Sequence, residues 1–136
     1  MDRDVIFPPL NTTSFVANLL ATVILLAATL WSGRAGRRRI HYSFAIATLT
    51  TLLGAIVQAE IYGRDFTFEP LRLRIHLAFA ISALIAVPWV IATGWRLRTR
   101  PEARPAHRRA VGGFVALTGL AILTAGWMFF SAEPRT

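Results

Sequence analysis

Four apolar stretches, each near twenty residues and separated by short polar segments, dominate this chain. A hydrocarbon core about 30 Å thick is crossed by ~20 residues of helix, so the pattern predicts four membrane spans. They run from about Thr13 to Trp31, Ile40 to Tyr62, Leu73 to Trp95 and Arg109 to Ser131. The intervening segments SGRAGRRR, GRDFTFEP and RLRTRPEARPA carry Gly, Pro and charge, which punctuate helices. Links this short force neighbouring helices to run antiparallel. The expected fold is all-α: an integral membrane four-helix bundle in up-down order, forming a single domain over residues 1–136.

The arrangement of charge orients the spans. All fifteen basic residues are Arg. Ten lie in the first and third links: Arg34, Arg37, Arg38 and Arg39, then Arg96, Arg98, Arg100, Arg104, Arg108 and Arg109. Five lie on the other side, Arg3, Arg64, Arg72, Arg74 and Arg135, accompanied by Asp2, Asp4, Asp65, Glu69 and Glu133. The positive-inside rule then puts the Arg-rich links in the cytoplasm and both termini outside. The net charge of +8 is explained by topology, and no nucleic-acid partner is expected. The segment MDRDVIFPPLNTT before the first span is acidic, and the Arg cluster follows the apolar run. A secretory signal has the reverse order, so the first span is expected to stay as an anchor. Trp31, Trp89, Trp95 and Trp127 lie toward span ends, where aromatic belts form.

Only 16% of residues are charged, against about 25% in soluble domains. The chain has no Cys, which excludes disulfides, thiolate metal sites and cysteine nucleophiles. It also lacks a phosphate-binding Gly loop, an H-E-x-x-H pair and a nucleophile elbow. A non-enzymatic protein is expected.

In lipid, small residues let helices approach. Gly112, Ala116, Gly119 and Gly126 form a stripe on the fourth span, and Ala47, Thr51, Gly54 and Gln58 form one on the second. Both are expected to be inward faces that pack against each other. Pro88 in the third span removes a backbone hydrogen bond and is expected to kink the helix. Asn18, deep in the first span, is expected to bond across a helix interface, with a substrate contact the other reading.

The titratable residues fall into two layers. His41 and His107 open the second and fourth spans on the cytoplasmic side. Glu60 closes the second span and His76 opens the third on the outer side. His41 and Glu60 are nineteen residues apart, about 28 Å along a helix, so the layers are two separate candidate sites. Imidazole suits copper, haem iron and zinc, and carboxylate plus imidazole suits protons or a harder ion. His41 and His107 are thus the candidate cofactor ligands and His76 with Glu60 the candidate metal pair, with Gln58 and Tyr62 near enough to support them. Polar capping beside the loops is the structural alternative for all four. The two halves share a rhythm in which a span, an Arg-rich link and a span opening with His follow in turn. That is either a weak repeat or two hairpins of similar length.

The order of these residues resembles the CtaM/YozB-like four-helix bacterial membrane proteins, which are associated with maturation of haem–copper respiratory oxidases. The likeness covers nearly the whole chain. It rests on Pro9, Leu10 and Asn11; His41 beside its basic neighbours; His76 through Pro88 to Thr93; His107 with Arg108; and Thr118 with Gly119. Its best part is RIHLAFAISALIAVPWVIATGWRL. Two places depart from the family pattern. Glu60 stands where the family has His, and VGGFVALTG replaces aromatic and Pro residues early in the fourth span. The resemblance implies an accessory or assembly factor of a respiratory oxidase in the bacterial cytoplasmic membrane, with copper or haem as cofactor and a larger membrane complex as partner. A structural subunit of a membrane redox complex and a small b-type cytochrome are the competing readings.

Overall fold

A computed structural model describes residues 12–135. The Pro9–Leu10–Asn11 segment and the acidic N-terminal residues lie outside the described range. Four long helices account for nearly all of it: α1 (Thr12–Arg34), α2 (Arg38–Gly63), α3 (Pro70–Thr99) and α4 (Arg104–Phe129). All four are long and apolar enough to cross a membrane, the make-up of a multi-pass membrane protein. The chain divides into two compact units, one built on α1 and α2, the other on α3 and α4. Each is an antiparallel helical hairpin.

The distribution of polarity is inverted relative to a soluble protein. Thr22, Ser32, Thr48 and Thr93 are buried, while Leu20, Ile24, Ile46, Ile85 and Leu123 face outward. Lipid tails are as apolar as Leu, so burying Leu gains little there; small and hydrogen-bonding residues instead favour the seam. The Thr and Ser hydroxyls bond carbonyls one turn back, as Thr22 does to Asn18 (2.8 Å) and Thr48 to Phe44 (2.7 Å). This satisfies each hydroxyl without water.

In the first hairpin, the reversal depends on Gly36, whose φ is +69°. Arg37 N–H reaches back to the Ser32 carbonyl (3.1 Å) and Gly36 N–H to the Gly33 carbonyl (3.3 Å). These paired bonds close a helix C-terminus around a left-handed residue, which Gly adopts without a Cβ clash. Only three residues separate α1 from α2.

The second hairpin turns differently. Arg100 N–H still bonds the Arg96 carbonyl (2.9 Å), and one 3₁₀ turn, Pro101–Ala103, leads into α4. Both helices extend beyond the apolar run: α3 ends at Thr99 and α4 begins at Arg104, where the fourth span is expected only from Arg109. Hydrophobicity marks where lipid ends, whereas helix ends are set by proline and caps. Pro70 and Pro105 occupy first-turn positions, where a missing N–H costs nothing. The Glu69 carboxylate also accepts from Leu71 N–H (3.2 Å) at the start of α3. α3 is assigned as one unbroken helix through Pro88. Just before α3 and just after α4 lie the short strands β1 (Phe66–Thr67) and β2 (Glu133–Pro134), where Thr67 Oγ1 donates to the Glu133 carbonyl (3.2 Å).

Candidate functional site: histidines in the hairpin seams

Each hairpin places a His at the fourth residue of its second helix and turns it into the seam. In the first hairpin, His41 Nδ1 lies 2.9 Å from the Thr29 carbonyl oxygen on α1. A carbonyl only accepts, so Nδ1 carries the proton. The same carbonyl accepts from the fully buried Ser32 hydroxyl at 3.0 Å. The Thr29 and Thr48 hydroxyls meet one layer deeper, at 2.9 Å. Gly33 makes room for the ring: a Cβ there would lie 3.1 Å from both Cε1 and Nδ1 of His41.

The second hairpin repeats the device with other atoms. His107 Nδ1 lies 3.1 Å from Thr93 Oγ1. That hydroxyl spends its single hydrogen on the Trp89 and Val90 carbonyls (2.9 and 3.0 Å), so it accepts from His107 Nδ1–H. Gly94 sits against the ring, where an added Cβ would lie 3.1 Å from Cε1.

A second polar layer lies toward the opposite end of each hairpin. In the first, Asn18 Nδ2 donates to Gln58 Oε1 (2.8 Å) and to the Thr51 carbonyl (3.3 Å), with Gly54 close beside the amide. In the second, His76 Nδ1 donates to the Ala121 carbonyl (3.0 Å), with Thr124 Oγ1 at 3.4 Å. The layers are similarly spaced, Ala121 and Thr124 following His107 by fourteen and seventeen residues. Gln58 follows His41 by seventeen, about 26 Å along the helix. The shared rhythm of the sequence thus has a counterpart in side-chain contacts.

Asn18 has the interhelical role expected of it. Glu60 is different: it is exposed, 71% by side chain, and pairs with Arg64 one turn on at 3.4 Å. Gln58 and Tyr62 share one face of α2 and turn to α1, where Tyr62 meets Thr12 (3.1 Å). Glu60 lies about 200° from each at 100° per residue, on the outer face, so neither supports it. Glu60 belongs to the first hairpin and His76 to the second, and each has its polar contacts within its own hairpin. His41 and His107 are likewise each engaged in their own hairpin.

The small-residue stripes also separate. The α2 stripe faces α1 through Thr51, Gly54 and Gln58. The α4 stripe lies outside the α3–α4 seam: a Cβ added at Gly112, Gly119 or Gly126 would meet nothing within 4 Å. His107, Phe114, Ala121 and Met128 repeat every seven residues; Phe114 and Met128 are buried, and His107 and Ala121 bond α3. Ala116 and the glycines fall roughly 100–180° round the helix from that row. Pro88 and Ala116 are exposed.

The partners Thr29 and Thr124, with Gly33 and Gly94, are the residues that sequence reasoning missed; Thr93 figured there only in the family pattern, not as the partner of His107. For Thr29, Gly33, Thr93 and Gly94 the available signal was a Thr or Gly within two turns of an Arg-rich link; Thr124, fifteen residues from Arg109, carried none.

The donor chemistry fits haem or copper in one respect. Nδ1–H held by a protein acceptor leaves the lone pair on Nε2, the arrangement found around ligating imidazoles. Among the described residues, however, no group of three or more His, Asp or Glu is placed to hold a metal ion. Each imidazole would offer one donor to such a group, and the described residues do not form a self-contained metal cage. Compared with protein-family models, curated proteins and solved structures, the chain gives no match.

Proposed function

We propose that this protein is a small non-enzymatic accessory or assembly factor of a haem–copper respiratory oxidase in the bacterial cytoplasmic membrane. Its two hairpins join in an up-down four-helix bundle with both termini outside and the Arg-rich links in the cytoplasm. The carrying observation is the anchored imidazole: His41 and His76 each fix Nδ1–H on a backbone carbonyl of the neighbouring helix. Anchoring fixes the tautomer and the ring orientation and leaves the Nε2 lone pair as the donor. His41 and His107 would serve a haem or metal near the inner surface, and His76 one near the outer surface. A bound haem or copper would supply redox or Lewis-acid character; the chain's own residues orient the imidazoles and keep the hairpins rigid around them. The family resemblance at His41, His76, His107 and Pro88 supports the oxidase as partner. Glu60 in place of the family His favours His76 alone as the outer donor.

The test is purification from native membranes, with a visible spectrum and metal analysis of the same sample. Co-purified oxidase subunits with haem or copper are expected. Oxidase activity should be lost in a deletion strain and restored by the wild type, but not by His76→Ala. Absence of both cofactors, with undiminished oxidase activity in His76→Ala, overturns the reading.

A second reading is a purely structural subunit of a membrane redox complex. The open α4 stripe of Gly112, Ala116, Gly119 and Gly126 favours it, because such a face admits close approach of another helix. Stoichiometric co-purification with no effect of the His substitutions would select it.

A further inference from the structure

We infer that the Arg-rich link of each hairpin is a binding surface for the headgroups of anionic phospholipids. Ion pairing differs sharply between the two ends of the helices. The ion pairs among the described residues, Glu60–Arg64 (3.4 Å) and Glu69–Arg72 (3.1 Å), both lie at the end away from these links. Arg34, Arg37, Arg38 and Arg39 fall within six consecutive positions that hold no acidic residue. All four are exposed and make no ion pair with a described residue. In the second hairpin Arg96, Arg100, Arg104, Arg108 and Arg109 are likewise exposed without an ion pair to a described residue, and Glu102 is the one carboxylate in that link.

Tryptophan sets the depth of this charge. The Arg37 guanidinium carbon lies 5.1 Å from the Trp31 ring centroid, and that of Arg98 lies 4.9 Å from the Trp95 centroid. Trp31 is 54% exposed and Trp95 68%. Indole rings settle at headgroup level, so an Arg stacked on each is held in the layer of lipid phosphates. The third such pair supplies the contrast. Arg72 stacks on Trp127 at 5.0 Å at the other end, and there Glu69 neutralises it while the Trp127 carbonyl accepts from its Nη1 (3.3 Å). The Arg37 charge lacks such a carboxylate among the described residues. Guanidinium presents a fork of donors that matches phosphate oxygens, and every basic residue here is Arg. The chemistry calls for phosphate, and the depth set by Trp31 and Trp95 calls for the phosphate of a lipid.

The experiment reconstitutes the full chain in phosphatidylcholine bilayers doped with spin-labelled phosphatidylglycerol or spin-labelled phosphatidylcholine. The immobilised fraction of each label gives its relative association. Phosphatidylglycerol should be preferred by about fivefold or more, the factor one basic residue near an anionic surface supplies. The triple change Arg37→Gln, Arg38→Gln, Arg39→Gln should reduce the preference at least severalfold, while Arg64→Gln with Arg72→Gln should leave it intact. The triple Arg→Lys variant keeps charge and topology and should retain most of the preference. An added Ala35→Cys, labelled with an impermeant maleimide, selects preparations with wild-type orientation for comparison. No preference in the wild type overturns the inference. So does equal loss in the Arg64/Arg72 variant, or complete loss in the Lys variant, which would mark a structural effect. Inorganic phosphate abolishing the preference at matched ionic strength would assign the surface to soluble phosphate and also overturn it.

Discussion

His41 Nδ1 sits 2.9 Å from the carbonyl oxygen of Thr29, twelve residues earlier and on the facing helix. One bond therefore fixes the tautomer of an imidazole and the closing end of a hairpin. Gly33, one turn on from Thr29 in the same helix, leaves room for the ring, since a Cβ there would lie 3.1 Å from its Nδ1 and Cε1.

Gly33→Ala and Gly94→Ala should both destabilise. Each new methyl would lie 3.1 Å from a His ring atom, and overpacking a filled seam costs about 1–3 kcal/mol. The expected result is a lower unfolding midpoint in detergent. Gly112→Ala meets open space within its hairpin and should be neutral, or stabilising by up to ~1 kcal/mol through helix propensity. A marked loss of stability in Gly112→Ala would show that another helix covers that face.

Thr93→Val removes the acceptor for His107 Nδ1–H while keeping the side chain's shape. A stranded donor costs about 1–3 kcal/mol. Thermal unfolding should report the loss, and the ¹⁵N shifts of the imidazole should show the Nδ1–H tautomer weakened. Thr93→Ser restores the oxygen and should recover most of both.

Asn18 and Gln58 should couple. Their amides meet at 2.8 Å inside the first hairpin, and polar pairs between membrane helices average about 0.6 kcal/mol and reach ~1.7. A double-mutant cycle with Asn18→Leu and Gln58→Leu, read by steric-trap or chemical unfolding in bicelles, should return a coupling in that range. Additive effects would refute the interaction.

Gly36→Ala should cost about 1–2 kcal/mol, because a Cβ opposes the left-handed conformation at φ +69°. Nothing lies within 4 Å of that Cβ position, so the penalty is purely backbone. Gly36→Asn should cost less, since Asn tolerates this region.

Glu60→Gln should change stability by no more than ~0.5 kcal/mol, the scale of an exposed pair one helical turn apart. A larger drop in unfolding midpoint would mean that Glu60 has a partner besides Arg64.

Four apolar runs were enough to specify four helices that can cross a membrane, because hydrocarbon forces the backbone to satisfy its own hydrogen bonds within each span. Sequence likewise determined that α1 with α2, and α3 with α4, run antiparallel, and set the interhelical role of Asn18, whose amide has few options in oil. It did not determine helix ends: charged residues continue a helix as readily as apolar ones, so α4 begins five residues before its apolar run. Nor did it determine which face of a span meets its neighbour. Small residues recur on several faces of α4, and only packing selected the row of Phe114 and Met128 over the glycines. Tertiary structure alone decided the partners of His41, His76 and His107, because a backbone carbonyl or a Thr hydroxyl on a facing helix leaves no mark in residue type. It also turned Glu60 outward, since residues two apart on a helix point in nearly opposite directions.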